Sequence, residues 1–313
     1  MAELSNKNRC ADVVVTYNRK ELLAENIAAL IAQTYTDHDI LIIDNASTDG
    51  TQETVSSFDD VMVKYFNTGA NLGGAGGFAY GIRKAIEAGY KYAWVMDDDA
   101  IPEKDALQSL IGNAGSIKDD FSFIASLVLW KDGSIAIMND PAVDRRPDNS
   151  GYARDDLKPL KSCSFVGCFI NLEKAKHTAL PIAEFFIYGD DVEYTTRLRS
   201  LAPAFLDCGS IIIHKSPSNM GIDIARDTEA RIGRYYYQAR NEMYTARKNK
   251  RVFRQLFITA KRTAKILLIS DNNKGRRIGV LLKGTRDGFK FDPELQYAQP
   301  SNLPARSSAE SIT

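Results

Sequence analysis

Tyr92-Ala93-Trp94-Val95-Met96-Asp97-Asp98-Asp99 runs from an unbroken apolar stretch straight into three adjacent carboxylates. Five consecutive apolar residues bounded by polar ones read as a strand buried on both faces. The same unit recurs upstream: residues 13–16 and 40–44 are apolar runs ending in Thr16 and Asp44, and residues 61–66 supply a third strand. Between these lie stretches of helix length at 20–33, 51–57 and 79–88, the first with Leu22, Leu23, Ile27, Leu30 and Ile31 spaced along one face. Strands alternating with helices predict an α/β fold, a layered sheet with crossover helices. Its strand ends gather Thr16, Asp44, Asn71 and Asp97, and ligands of open α/β sheets bind beyond those ends.

Downstream, the pattern predicts a helix to residue 111, strands at 123–129 and 135–138 about the Asp132-Gly133 turn, and a polar excursion over 140–161. A strand at 164–171 leads to a helix–strand segment that holds Gly189 to Glu193 and ends at His214. From about residue 229 the chain is helical and basic. The expected division is a catalytic domain over 1–228, a basic amphipathic helical region over 229–298 and a disordered tail over 299–313. The 313 residues carry 40 basic and 40 acidic side chains, and a net charge of zero argues against nucleic acid as a partner. Cys10, Cys163, Cys168 and Cys208 form no zinc spacing or disulfide framework. With no apolar leader in residues 1–9, a cytoplasmic location is expected.

Three adjacent carboxylates repel one another, and a cation at the strand end relieves that repulsion. In an extended segment Asp97 and Asp99 share a face while Asp98 points elsewhere. His214 closes the apolar run 210–213 and is either a structural residue or a third ligand, and mixed carboxylate and imidazole ligation favours manganese, with magnesium second. In Gly189-Asp190-Asp191-Val192-Glu193, Asp190 and Glu193 have capping-box spacing. That spacing leaves Asp191 unexplained. A first-turn carboxylate pressed by acidic neighbours suits a general base near neutral pH, with Asp190 and Glu193 as supporting groups. Asn71-Leu72-Gly73-Gly74-Ala75-Gly76-Gly77-Phe78 reads as a glycine-rich loop that lets a phosphate or sugar approach the backbone. Its resemblance to a dinucleotide fingerprint falls at the third strand rather than the first, and a hydride-transfer reading leaves the acidic residues unused.

Val14-Val15-Thr16-Tyr17-Asn18-Arg19, Ile43-Asp44-Asn45-Ala46-Ser47-Thr48-Asp49-Gly50-Thr51, the Asp97–Asp99 triplet and Gly189-Asp190-Asp191-Val192-Glu193 together resemble glycosyltransferase family 2, which has the GT-A fold. Asn71 to Phe78 and the late His214 are most similar to the bacterial galactofuranosyltransferases, with the rhamnosyltransferase-like group, users of dTDP-rhamnose, next. The resemblance implies Thr16, Arg19, Asp44 and Asp98 at the nucleotide and Asn71, Gly73 and Gly74 at the donor sugar. It implies Asp97, Asp99 and His214 as metal ligands and Asp191 as base, in an inverting transfer from UDP-galactofuranose to a glycan or lipid-linked glycan. The chain lacks the large extra domains of the polymerising relatives, which argues against processive synthesis.

Within 253–268 the apolar residues recur at helical spacing, with Arg254, Lys261 and Lys265 to one side. Two readings follow from that pattern: a helix on an anionic membrane surface, peripheral to the inner face, or one packed on the catalytic domain or in a homo-oligomer.

Overall fold

The computed structural model describes residues 10–144 and 150–298. The chain opens as β1 (Cys10–Thr16), α1 (Lys20–Ile31), β2 (His38–Asp44), α2 (Thr51–Ser56), β3 (Val63–Asn67), α3 (Gly73–Glu87) and β4 (Tyr92–Asp97). The four strands pair in parallel in the order β3-β2-β1-β4. There follow β5 (Ala100–Pro102), α4 (Ala106–Ser116), β6 (Phe123–Trp130), β7 (Ala142–Val143), β8 (Leu157–Ser162), β9 (Cys168–Asn171), α5 (Leu172–Ala175), α6 (Asp190–Arg199) and β10 (Ala204–His214). Among the described residues these complete one sheet, continuing β4-β9-β6-β10-β8-β7, with β5 on β10. Its two faces are covered by separate apolar clusters, one around Trp94, Phe121 and Phe205, the other around Phe78, Ile82 and Tyr194.

This topology brings the distant acids and His214 to one edge. β9 is antiparallel to both β4 and β6, and β10 is parallel to β6, so β10 ends at the same edge as β4. The short β5, which begins right after the Asp triplet, turns back along β10 and pairs Ala100 with His214. Lys215 N donates to Asp99 O at 2.8 Å and fixes the two strand ends together.

The glycine run departs from the expected loop, because α3 begins at Gly73 rather than near residue 79. Glycine is a poor helix former, but here contact with the sheet decides. A Cβ on Gly77 would lie 2.5 Å from Val15 Cγ1, and one on Gly81 would lie 2.3 Å from Val13 Cγ1. The glycines therefore let α3 settle onto β1. The strand expected at 135–138 is instead a single bridge, Leu129 to Ile135, followed by a tight turn over Ile137–Asn139. Asn219 replaces the strand neighbour, accepting from Ile137 N at 2.8 Å and donating to Ile135 O at 3.0 Å. Two short strands, β7 and β8, occupy part of the polar excursion. The four cysteines are free, three of them buried and Cys208 half-buried.

The basic region forms α7 (Arg234–Lys248), α8 (Val252–Ile269) and α9 (Lys274–Gly288). A small apolar cluster of Tyr235, Ala239, Ile266 and Leu281 joins them. After α9 the chain returns to the segment before α6: Leu180 N donates to Gln296 O at 2.8 Å, and Phe291 packs beside Phe185 and Tyr244. The tail expected beyond residue 298 lies outside the described residues.

Candidate active site

Thr16, Asp44 and Asp97 end β1, β2 and β4, and cross-links between their loops fix the site's floor. Asn18 N donates to Ser47 Oγ and Thr48 N to Asn18 Oδ1, each at 2.8 Å. Asp44 is buried and accepts from Ser47 N at 2.8 Å and from the Tyr65 hydroxyl at 2.6 Å. Burial and that carboxylate push the Tyr65 hydroxyl up to about 12, so it stays a donor that orients Asp44. Tyr65 carried no sequence signal, and Asn45, quoted in the stretch after β2 but given no role, donates to Gly73 O at 3.0 Å.

The triplet was expected to continue as an extended segment, but β4 ends at Asp97, and Asp98 and Asp99 form a turn, so it is the turn that sends Asp98 one way and brings Asp97 and Asp99 to His214. Asp98 turns toward β1 and the loop after it, accepting from Thr16 Oγ1 at 2.8 Å and Arg19 Nη1 at 3.2 Å. Asp99 accepts from Arg19 Nη1 at 2.8 Å and faces His214 Nε2 at 3.1 Å. Asp97, Asp99 and His214 each offer a ligand atom, and these lie within 4.8 Å of one another. Burial and the charge of Asp99 push the Asp97 carboxyl up to about 7, and burial holds Asp98 at about 6. Burial works the same way on Asp99, but the His214 hydrogen bond and Arg19 keep it below the usual carboxylate range. Burial disfavours a charged His214, yet Asp99 and Asp97 raise it overall.

The other imidazole nitrogen settles what His214 can hold. Its Nδ1 lies 2.8 Å from Asn139 Oδ1, an acceptor, and Asn139 Nδ2 donates to Ser164 Oγ at 3.0 Å. With the amide in that orientation Nδ1 donates to Asn139, and Nε2 is the nitrogen turned to Asp99, donating to it when the ring is protonated and free to hold a cation when it is neutral. Two carboxylates and an imidazole so disposed fit a divalent cation. Asn139 had no sequence signal.

The charge of Asp97 also reaches the acidic first turn of α6, where it raises Asp190 after burial and Asp191. Asp190 is buried, whereas Asp191 is half-buried and pushed up to about 6 by burial. The capping box expected from Asp190 and Glu193 is absent: Gly189 occupies the cap and no side chain caps the helix. Glu193 instead pairs with Arg197, at 2.9 Å to Nε and 2.8 Å to Nη2, and that guanidinium also holds the carbonyls of Ala179 and Leu180. Of the three acids in this turn, Asp190 is buried and Glu193 is held by Arg197, while Asp191 is half-buried and accepts from Val192 N at 2.7 Å.

The loop before α6 is strained, with Phe186 at φ 64°, Tyr188 at φ 68° and Gly189 at φ 85°. It is held from the basic region. Asn241, buried on α7, donates to the carbonyls of Phe185, Ile187 and Tyr188 at 3.0, 3.1 and 2.9 Å, and Arg240 donates to that of Glu184. Phe186 O in turn accepts from Ala75 N at 3.2 Å, and a Cβ on Gly73 would lie 2.1 Å from that oxygen. Gly73 N is taken by Asn71 Oδ1 at 2.9 Å. Two early amides of α3 are thus already bonded, and the glycines serve close packing where an open phosphate cradle was expected. Asn241→Ala leaves the Ile187 and Tyr188 carbonyls short of this donor, while Phe185 O keeps Ile187 N at 2.7 Å, and a loss of roughly 1–3 kcal/mol is expected in urea unfolding; an unchanged midpoint would show that the loop holds itself.

Residues 13–168 match the model described as Glycosyl transferase family 2. The galactofuranosyltransferase GlfT1 of Mycolicibacterium smegmatis is 27% identical over 205 residues, 60% of this chain and 64% of that protein. GlfT1 of Mycobacterium tuberculosis is 27% identical over 203 residues, 59% of this chain and 63% of that one. The chain thus spans a little under two thirds of the length of these relatives. Among solved structures, S. aureus TarS 1-349 in complex with UDP aligns with a TM-score of 0.53 over 91% of this chain and 72% of that one, at 14% identity. The mannosyltransferase PcManGT of Pyrobaculum calidifontis, in complex with GDP-Man and Mn2+, gives 0.54 over 89% and 75%, also at 14% identity. Those likenesses show the GT-A fold. The matched segment carries Thr16, Arg19, Asp44, Asn71 and the Asp triplet, and the structure brings His214 from beyond it to that triplet, so the chain belongs to glycosyltransferase family 2.

Proposed function

We propose that this chain is an inverting, divalent-metal-dependent glycosyltransferase that moves galactofuranose from UDP-galactofuranose onto a hydroxyl of a cell-surface glycan or its lipid-linked precursor. The observation that carries this reading is the meeting of Asp97, Asp99 and His214 at one strand edge, their ligand atoms within 4.8 Å of one another. A divalent cation held there, manganese by the mixed donor set and magnesium as second choice, supplies neutralisation of charge on the departing diphosphate.

The chain's own residues do the rest. Asp44, oriented by Tyr65, receives the nucleoside, and Thr16, Arg19 and Asp98 line the path to the diphosphate. Asn71, Gly73 and Gly74 border the donor sugar. Asp191 takes the proton of the acceptor hydroxyl as that oxygen bonds to the anomeric carbon and the bond to the diphosphate oxygen breaks. One in-line displacement inverts the anomeric centre. A carboxylate at about 6 is ionised near neutral pH and still basic enough to receive that proton.

The choice of sugar is supported by the likeness to two proteins named galactofuranosyltransferase. Incubation with manganese and a panel of donors, scored by release of nucleoside diphosphate, tests it. UDP-galactofuranose is expected to turn over faster than UDP-galactopyranose or dTDP-rhamnose. Equal or better use of dTDP-rhamnose moves the protein to the rhamnosyltransferase-like group, and tight nucleotide binding with no turnover of any donor leaves a non-catalytic nucleotide-sugar-binding protein.

A further inference from the structure

Helix α8 is folded with its apolar side outward. Phe253, Leu256, Phe257, Leu267 and Leu268 share one stripe of the helix, and all are exposed, with Phe253 at 90%, Leu268 at 81% and Phe257 at 63%. The side turned to the protein is largely polar. Gln255 Nε2 and Arg262 Nη2 donate to the Glu242 carboxylate at 2.7 and 2.9 Å, Thr259 and Thr285 hydroxyls meet at 3.3 Å, and Ser270 Oγ donates to Ala225 O at 2.7 Å. Ile266 is the fully buried apolar residue of that side. An amphipathic helix ordinarily buries its apolar stripe against its own core. Here the chain secures the helix by hydrogen bonds and an ion pair and leaves the stripe free, the mark of an interaction surface.

Charge identifies the partner. Arg254 and Lys261 border the stripe and Arg251 stands at its start, all exposed. Lys261 Nζ lies 5.2 Å from the Phe257 ring centroid, its stem along the apolar face and its charge at the margin. From residue 247 to 290 the acids are Asp271 and Asp287, the latter paired with Arg286. A second copy docked through the same face would set these cations against their equals. No described helix is long and apolar enough to cross a membrane.

We infer that α8 seats the protein on an anionic bilayer, lying in the interface with Phe253, Phe257 and Leu268 at the acyl boundary and Arg251, Arg254 and Lys261 among the headgroups. The seat does not depend on which donor is used; it rests on the proposed reaction only where a lipid-linked acceptor gives the bilayer its purpose. The test is cosedimentation of the full chain with phosphatidylcholine vesicles, with and without phosphatidylglycerol, at low and high salt. Binding is expected with the anionic vesicles at low salt, weakened by salt. The Phe253→Ser/Phe257→Ser/Leu268→Ser variant is expected to lose partitioning by on the order of a hundredfold while keeping UDP affinity, since its changes lie on the outer face. Arg254→Glu/Lys261→Glu is expected to lose the preference for anionic lipid. The inference is overturned if the unaltered chain stays in the supernatant with anionic vesicles at low salt, or if the serine variant binds as well as it does. Self-association in sedimentation velocity that the serine variant abolishes, with no vesicle binding, assigns the stripe to a second copy and overturns it as well.

Discussion

Asp191→Asn is expected to keep UDP affinity within about twofold and to lose transfer by about 10²- to 10⁴-fold, the usual worth of a general base. The amide fills the same volume and still accepts from Val192 N, which the carboxylate does at 2.7 Å, but it cannot take a proton. Calorimetric UDP binding beside initial transfer rates separates the two effects. The unaltered enzyme should also lose kcat as pH falls through about 6, where burial places the Asp191 carboxyl, because a protonated base cannot accept the acceptor's proton. That limb should vanish from whatever rate the variant retains. If UDP binding and transfer fall in parallel, Asp191 shapes the pocket and Asp190, buried on the same turn, becomes the base to test.

The residues legible in the sequence are those whose chemistry is concentrated locally. Asp44 and the Asp triplet stand directly after unbroken apolar strands, so strand, strand end and carboxylate are read together. His214 likewise closes a strand, and the register of β10 against β5 completes what the pattern began. Asn139 and Asn241 were illegible because their work is done across the fold: Asn139 serves a histidine 75 positions away, and Asn241 serves carbonyls 53 to 56 positions away, from segments of ordinary composition. The start of α3 was misplaced for a related reason. Local propensity counts glycine against a helix, whereas the contacts of Gly77 and Gly81 with Val15 and Val13 require it. In α8 the stripe was legible but its direction was not, because periodicity shows that a helix has two faces and tertiary contacts choose between them.

Asp97→Ala is expected to abolish tight Mn2+ binding and to lower transfer by roughly 10²-fold or more, since charge developing on the diphosphate then has no counter-ion. Asp97 is the informative ligand because its neighbours are already compensated: Asp98 by Thr16 and Arg19, Asp99 by Arg19 and His214. Asp97 is instead pushed up to about 7 by burial and by Asp99, so this corner of the site asks for a cation that the protein does not itself supply. His214→Ala should act in the same direction. Asn139→Ala should cost less, about 10- to 100-fold in metal affinity, because it releases the orientation and tautomer of His214 while leaving the ligand in place. Calorimetric titration of Mn2+ into each variant gives that order without relying on turnover. Transfer that continues undiminished in excess chelator would remove the metal from the mechanism, and an Asn139→Ala loss as large as that of His214→Ala would mean the imidazole is held by Asn139 alone.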